Sequence, residues 1–217
     1  MSTAPPRLGA VLLAAGSGSR LGHRPKCLLE LDGVPLVRRT LAALAAAGVD
    51  EIVVVTGHHA EQVEPVLQGL KVGCVRNPAP DTGQTSSQRL GLAALGAKLD
   101  AVLVALADQP LLDAQDIRDL IQAWTQRPAG IAVVHPQVNG QRGNPVILSA
   151  AVRAEVLAGA ADFGARQWQG AHPERVHPFV TSNRHYRTDI DTPEDLESFG
   201  RETGLVLRWP LQAQGDQ

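Results

Sequence analysis

The sequence predicts an α/β fold, a three-layer α/β/α sandwich on a mostly parallel sheet. Three observations lead there. Apolar runs of strand length recur at residues 11–15, 52–55, 72–75, 101–107 and 131–135, and the unbroken β-branched ones read as strands buried on both faces. Segments with helical apolar spacing separate them, so the strands run parallel through right-handed crossovers. The 217 residues, 44% of them hydrophobic, suffice for one full core and leave little for a second.

The elements follow in order. The first strand, residues 11–15, runs into a loop with Gly16, Gly18 and Gly22. Residues 28–31 are extended, and Asp32-Gly33 is a turn. Pro35 takes the first position of a helix whose face carries Leu36, Val37, Leu41 and Leu44 and which ends before Gly48. The strand at 52–55 leads to a helix over 59–67, weakened by Pro65, and the strand at 72–75 leads to a loop through Asn77, Gly83, Gln84, Ser86 and Ser87. Leu90, Ala93, Ala94 and Leu95 then mark a helix with Ser86 or Ser87 as N-cap. The fourth strand, 101–107, ends at Asp108-Gln109-Pro110. Asp113 begins a helix with Ile117, Leu120, Ile121 and Trp124 at i, i+3, i+4 and i+7.

After the fifth strand, 131–135, the rhythm changes. A polar turn at 141–145 precedes Val146-Ile147-Leu148, a helix over 149–157, a short helix after Arg166 and an extended piece at 177–180. Asp189-Ile190-Asp191 reads as a strand end before a helix capped by Thr192, with Pro193 first and acidic residues complementing the helix dipole. One domain over 1–207 is expected, with a flexible tail at 208–217.

Composition narrows the function. A formal net charge of −2 with mixed signs and only 3% aromatic residues argue against nucleic-acid binding and against a basic membrane surface. Cys27 and Cys74 lack CxxC spacing and read as reduced thiols. Met1 to Pro6 has neither a basic nor an apolar leader region, so a cytoplasmic protein is expected.

The loop after the first strand carries the chemistry. Glycines let backbone approach a ligand, and N–H groups in such a loop point at anionic oxygens. Arg20 and Lys26 add full positive charge, Lys26 being one of only three lysines. No Gly-Lys-[Ser/Thr] follows the glycines, so this is not a P-loop. Leu21 stands where a dinucleotide fingerprint needs glycine, and no acidic residue follows Val55, which disfavours an NAD-dependent oxidoreductase. Asp108 and Asp191, at the ends of apolar strands, are costly charges unless paired. Two such carboxylates make an oxygen site suited to Mg²⁺. Ligands of open α/β sheets gather at these carboxyl ends.

The string Leu-Ala-Ala-Gly-x-Gly-x-Arg-Leu-Gly, residues 13–22, followed by Pro25-Lys26 resembles the signature of the MobA-like nucleoside-triphosphate transferases. Asp108-Gln109-Pro110 and Asp189-Ile190-Asp191-Thr192-Pro193-Glu194-Asp195 are similar to the two metal motifs of the molybdenum-cofactor nucleotidyltransferases. So are Asn77-Pro78, residues 83–87 with 89–92, Arg142-Gly143-Asn144-Pro145 and residues 162–166. The resemblance implies a Rossmann-like, nucleotide-diphospho-sugar-transferase-like fold. It implies a nucleotide site at Leu13, Ala14, Ala15, Gly16, Ser17, Gly18, Asn77, Gly83, Gln84, Ser86 and Ser87, within a nucleotide-binding half at 9–135. It implies an acceptor half at 136–203 that uses Arg142, Gly143, Asn144, Pro145, Asp162 and Arg166. Arg20, Lys26 and Asp108 become catalytic, with Mg²⁺ on Asp108 and Asp191. The partners implied are a nucleoside triphosphate, CTP or GTP, and a molybdopterin-type phosphate acceptor. Leu-Ala-Ala-Gly matches the cytidylyl branch, where the guanylyl branch has Leu-Ala-Gly-Gly. Asn144 stands where the cytidylyl branch has His, and residues 26–31 are closer to the sugar and isoprenoid members. Guanylyl transfer, an isoprenoid or sugar phosphate acceptor, and a non-catalytic nucleotide-binding partner or chaperone of a molybdoenzyme are the alternatives.

Overall fold

The computed structural model describes residues 6–210. β1 (Leu8–Ala14) leads through the Gly-rich loop to a hairpin of β2 (Glu30–Leu31) and β3 (Val34–Pro35), then to α1 (Leu36–Ala46), β4 (Glu51–Thr56), α2 (Ala60–Val63) and β5 (Gly73–Arg76). Next come α3 (Gln84–Ala94), β6 (Ala101–Leu106), α4 (Ala114–Thr125), β7 (Val133–Val138), β8 (Gln141–Arg142) and β9 (Val146–Ser149). The chain closes with α5 (Ala150–Ala158), α6 (Ala165–Ala171), β10 (Val176–Thr181), α7 (Pro193–Thr203) and β11 (Leu207–Arg208).

The main sheet runs β10-β7-β9-β6-β1-β4-β5, with β8 paired to β7. β6, β1, β4 and β5 are mutually parallel, and so are β7 and β10. β9 is antiparallel to both neighbours, so the expected mostly parallel sandwich stands. Strand alternation divides the core. Ala10, Leu12, Val54 and Leu103 face Leu41, Leu44, Ile117 and Leu120 of α1 and α4. Val11, Val53, Val55 and Val102 face Leu92, Val152, Val156 and Trp168 of α3, α5 and α6. A third cluster, with Leu21, Leu31, Leu36, Ile190 and Phe199 and the partly buried Leu207 and Trp209, fastens α7 and a small sheet, β11-β2-β3, beside the Gly-rich loop.

Four local expectations change. The helix over 59–67 splits into α2 and a 3-10 turn at Glu64–Leu67, because Pro65 has no N–H for the α ladder. The N-cap of α3 is Gly83, at φ 102°, and Ser86 instead donates its hydroxyl to the Gly83 carbonyl. Residues 189–191 are not a strand; the Ile190 N–H reaches the Asp108 carbonyl at 3.1 Å. Residues 208 and 209, expected in the tail, are held in place: Arg208 pairs with Glu30 and Arg24 lies 3.9 Å over the Trp209 ring. Residues 211–217 of that expected tail, like Met1 to Pro5, lie outside the described residues.

α3 packs close to β1 and β4 because Gly91 has no side chain. A Cβ there would stand 2.4 Å from Val11 and 2.8 Å from Val55. Gly91→Ala is expected to destabilise the fold by about 1–3 kcal/mol through overpacking, although alanine favours helix; urea denaturation with an unchanged m-value checks it.

Candidate active site

The carboxyl ends of β1, β4 and β6 open into a cleft of about 550 Å³. Leu13 to Ser17 form one wall, Gly83, Gln84 and Ser87 another, and Lys26, Asp108, Asp189 and Asp191 the floor. Gly18 and Gly22 hold the loop's bend at φ 61° and 69°, a region that glycine enters without strain. At Gly18 a Cβ would fall 1.9 Å from the Arg24 carbonyl oxygen, so the loop closes on itself there. Gly18 shapes the loop and stays off the cleft wall.

Lys26 Nζ lies 2.5 Å from Asp108 Oδ2 and is also bonded to Asp191 Oδ1. Arg20 adds a 2.8 Å bond to Asp191 Oδ2. Asp191 is held in place from behind, where Asp195 Oδ2 accepts the N–H groups of Asp191 and Thr192 at 2.9 and 2.7 Å. Burial alone would lower the Lys26 pKa, but Asp108 and Asp191 outweigh it and raise it. Burial works to raise the Asp191 pKa, yet Lys26 and Arg20 hold it below the ordinary 3.8. Asp189 is raised, first by burial and then by the negative charge of Asp108 and Asp191. The floor is therefore rich in carboxylates around one ammonium.

Asp108 has a buried Oδ1 with no hydrogen-bond partner among the described residues. A buried oxygen without a donor is costly, and its best remedy is a cation. The donor set, carboxylates at the bottom of a phosphate-sized cleft, fits a hard divalent ion. A second acidic group, Asp113, Asp116 and His185, is occupied structurally. Asp113 and Asp116 make the capping box of α4, while Asn183 and His185 bond to Asp116 at 2.5 and 2.9 Å. Cys27 lines the cleft, but burial and then Asp108 push its thiol up to about 12, which removes it as a nucleophile.

Several expected ligands serve structure instead. Asn77 spends its amide on Ser86 Oγ and Ser87 Oγ, both at 2.9 Å, and its oxygen accepts the Ala79 N–H at 2.9 Å. It ties β5 to α3 and does not reach the cleft, nor does Ser86. Arg142, Gly143, Asn144 and Pro145 are likewise off the cleft wall: the Asn144 N–H bonds to the Tyr186 carbonyl at 2.9 Å. Asp162 and Arg166 are exposed beyond it. Two residues that the sequence motifs do not single out are His58 and Asp81. Both line the cleft, and the available signal was their position just after the ends of β4 and β5.

The fold and site together define an α/β protein whose carboxylate floor lies under a glycine-rich loop at the carboxyl ends of its parallel strands. The MobA-like NTP transferase domain matches residues 10–176, and the chain belongs to that family of nucleotidyltransferases. It is 33% identical over 198 residues to the nicotine blue oxidoreductase of Paenarthrobacter nicotinovorans, covering 88% of this chain and 95% of that one. It is 35% identical over 156 residues to the bifunctional protein GlmU of Sorangium cellulosum, covering 68% of this chain and only 33% of that one. Among solved structures, a nucleotidyl transferase from Methanothermobacter superposes with a TM-score of 0.72 at 29% identity, over 89% of this chain and 95% of that one. No described helix is long and apolar enough to cross a membrane.

Behind the wall with Gln84 and Ser87, Arg89 of α3 donates to the carbonyls of Val156, Leu157, Gly159 and Phe163. The helix carrying Gln84 and Ser87 is thereby clasped to the segment carrying Asp162. Arg89→Met, which keeps the stem and removes the donors, is expected to cost about 2–4 kcal/mol and to raise proteolysis between residues 157 and 165, read by denaturation and limited thermolysin digestion.

Proposed function

We propose that the chain transfers a nucleoside monophosphate from a nucleoside triphosphate to the phosphate of a molybdopterin-type acceptor, releasing pyrophosphate, with CTP as the donor and Mg²⁺ as the metal. One observation carries the reading: Asp108 and Asp191, 83 positions apart in sequence, converge on one cation beneath the Gly-rich loop. Nucleotide binding alone would not require both acids. The choice of CTP rests on Leu13-Ala14-Ala15-Gly16, and the choice of acceptor on the motif resemblance.

The residues divide the work by charge. The loop over Leu13 to Ser17 receives the triphosphate, with its N–H groups towards anionic oxygens. Gly83, Gln84 and Ser87 face the base. Arg20 and Lys26 neutralise the pyrophosphate as it leaves, an electrostatic contribution that grows as charge develops. Asp108 and Asp191 hold the divalent ion, with Asp189 beside them. The chemistry that bound Mg²⁺ supplies there is Lewis-acid neutralisation of phosphate oxygens. The acceptor phosphate attacks the α-phosphorus in line, so positioning does most of the work and no protein nucleophile is needed. In this reading residues 9–135 hold the nucleotide and 136–203 the acceptor, although both halves share one sheet.

The likeness to a relative named as an oxidoreductase over nearly its whole length supports a second reading, in which the cleft keeps a nucleotide as a redox cofactor. The two readings part on pyrophosphate. Under the first, CTP with molybdopterin cofactor and Mg²⁺ releases it, and Asp108→Ala loses on the order of 10²–10³ in rate while its melting curve persists. Release from GTP, or only with another phosphate acceptor, would keep the chemistry and overturn the substrate. Turnover unchanged in Asp108→Ala would remove Asp108 from the mechanism.

A further inference from the structure

The end of β4 meets two other segments of the cleft. A Cβ on Gly57 would stand 2.8 Å from the Ala15 carbonyl oxygen and 3.0 Å from Pro80 Cβ. The bare backbone at Gly57 therefore lets the Gly-rich loop and the 80–82 turn close against it. The next residue, His58, bonds to both. Its Nδ1 is 3.0 Å from the Ala15 carbonyl oxygen, and its Nε2 is 2.8 Å from Asp81 Oδ1. His59 Nε2 bonds to the Ser17 carbonyl at 2.9 Å.

Both partners of His58 are acceptors: a carbonyl oxygen and a carboxylate. A neutral imidazole has one N–H, so both bonds form only when the ring carries two. A trans peptide points its C=O and the following N–H in opposite directions. Holding the carbonyls of Ala15 and Ser17 on the histidines therefore turns the N–H groups of Gly16 and Gly18 away from them. Neither of those N–H groups bonds within the described residues, and Gly16 lines the cleft, so its N–H is free for an anion.

We propose that His58 is a positioning residue for the nucleotide: as an imidazolium it latches the Gly-rich loop to the 80–82 turn and sets the loop in its phosphate-receiving shape. This rests on the nucleotidyltransferase reading of the cleft. The ring is three-quarters buried, Asp81 almost fully exposed. The charged or titratable groups sharing the cleft are Lys26, Cys27, Asp81, Asp108, Asp189 and Asp191. Asp81 is the one bonded to the ring, and His59 lies at 6.5 Å between centroids. The Ala15 carbonyl, then Asp81, raises the His58 pKa above 6.5. The latch is thus complete below that raised pKa and loses one bond as pH rises through it.

The test has two parts. Ring ¹⁵N shifts of the nucleotide-free chain at pH 7 report the protonation state directly. CTP affinity with Mg²⁺, measured by calorimetry from pH 6 to 9, reports its consequence. The nucleotide's own titration is common to every variant and cancels in comparison. We expect His58 doubly protonated at pH 7. Relative to His58→Asn, the parent should bind about 5- to 20-fold tighter at low pH, with the advantage shrinking as pH rises. Asn keeps a donor near Nδ1 but has neither charge nor reach to Asp81. Asp81→Asn, an exposed change that spares folding, should move the parent's transition to lower pH. A neutral His58 ring at pH 7, or a constant affinity ratio between parent and His58→Asn across the range, would overturn the latch. If no nucleotide binds at any pH, the nucleotidyltransferase reading fails, and the ring shifts still decide the protonation state.

Discussion

The ammonium of Lys26 between Asp108 and Asp191 is the contact on which the site depends. Carboxylates crowded at the end of a buried sheet repel each other and lose hydration, a cost of several kcal/mol per buried charge unless compensated. Lys26 compensates two of them at once, and Arg20 screens the second from outside. Asp189 and the unpartnered Oδ1 of Asp108 remain as excess negative demand. A floor built this way tolerates a bound cation readily and would repel a triphosphate arriving without one.

The fold makes that arrangement by bringing three distant segments to one edge. Parallel strands deliver their carboxyl ends to the same side, so the loops after β1 and β6 are neighbours because β1 and β6 are paired. The segment carrying Asp191 arrives differently, stitched to the Asp108 carbonyl through the Ile190 N–H and packed by Ile190 into the third cluster. The small sheet and α7 therefore support the Asp191 side of the cleft. α3, clasped by Arg89, supports the side with Gln84 and Ser87.

Much of this was legible in the sequence, because strands buried on both faces announce themselves as unbroken apolar runs and glycine loops announce close backbone approach. Asp108 was legible from its strand end, and Asp191 from its motif, since residues 189–191 form no strand. Asn77, Ser86 and the 142–145 turn read as ligands through the family resemblance; the structure shows the Asn77 amide and the Gly143 and Asn144 N–H groups spent within the fold. Whether a polar side chain faces a ligand or a neighbouring loop depends on contacts across some ten residues or more, which no local pattern carries. His58 is harder to read for the converse reason: its partners, Ala15 and Asp81, lie 43 and 23 positions away, so its place after a strand end marks it as near the cleft but not what it bonds. The antiparallel β9 was hidden likewise, since a short apolar strand reads the same in either direction.

The central claim, that Asp108 and Asp191 form one divalent-cation site with the nucleotide, is tested most directly with Mn²⁺ as a paramagnetic probe in the presence of CTP. Electron paramagnetic resonance of the free ion counts what the protein takes up. The account predicts one tight Mn²⁺ per nucleotide-bound chain and uptake weakened by about tenfold or more in Asp191→Asn. Equal uptake by the parent and Asp191→Asn would contradict it.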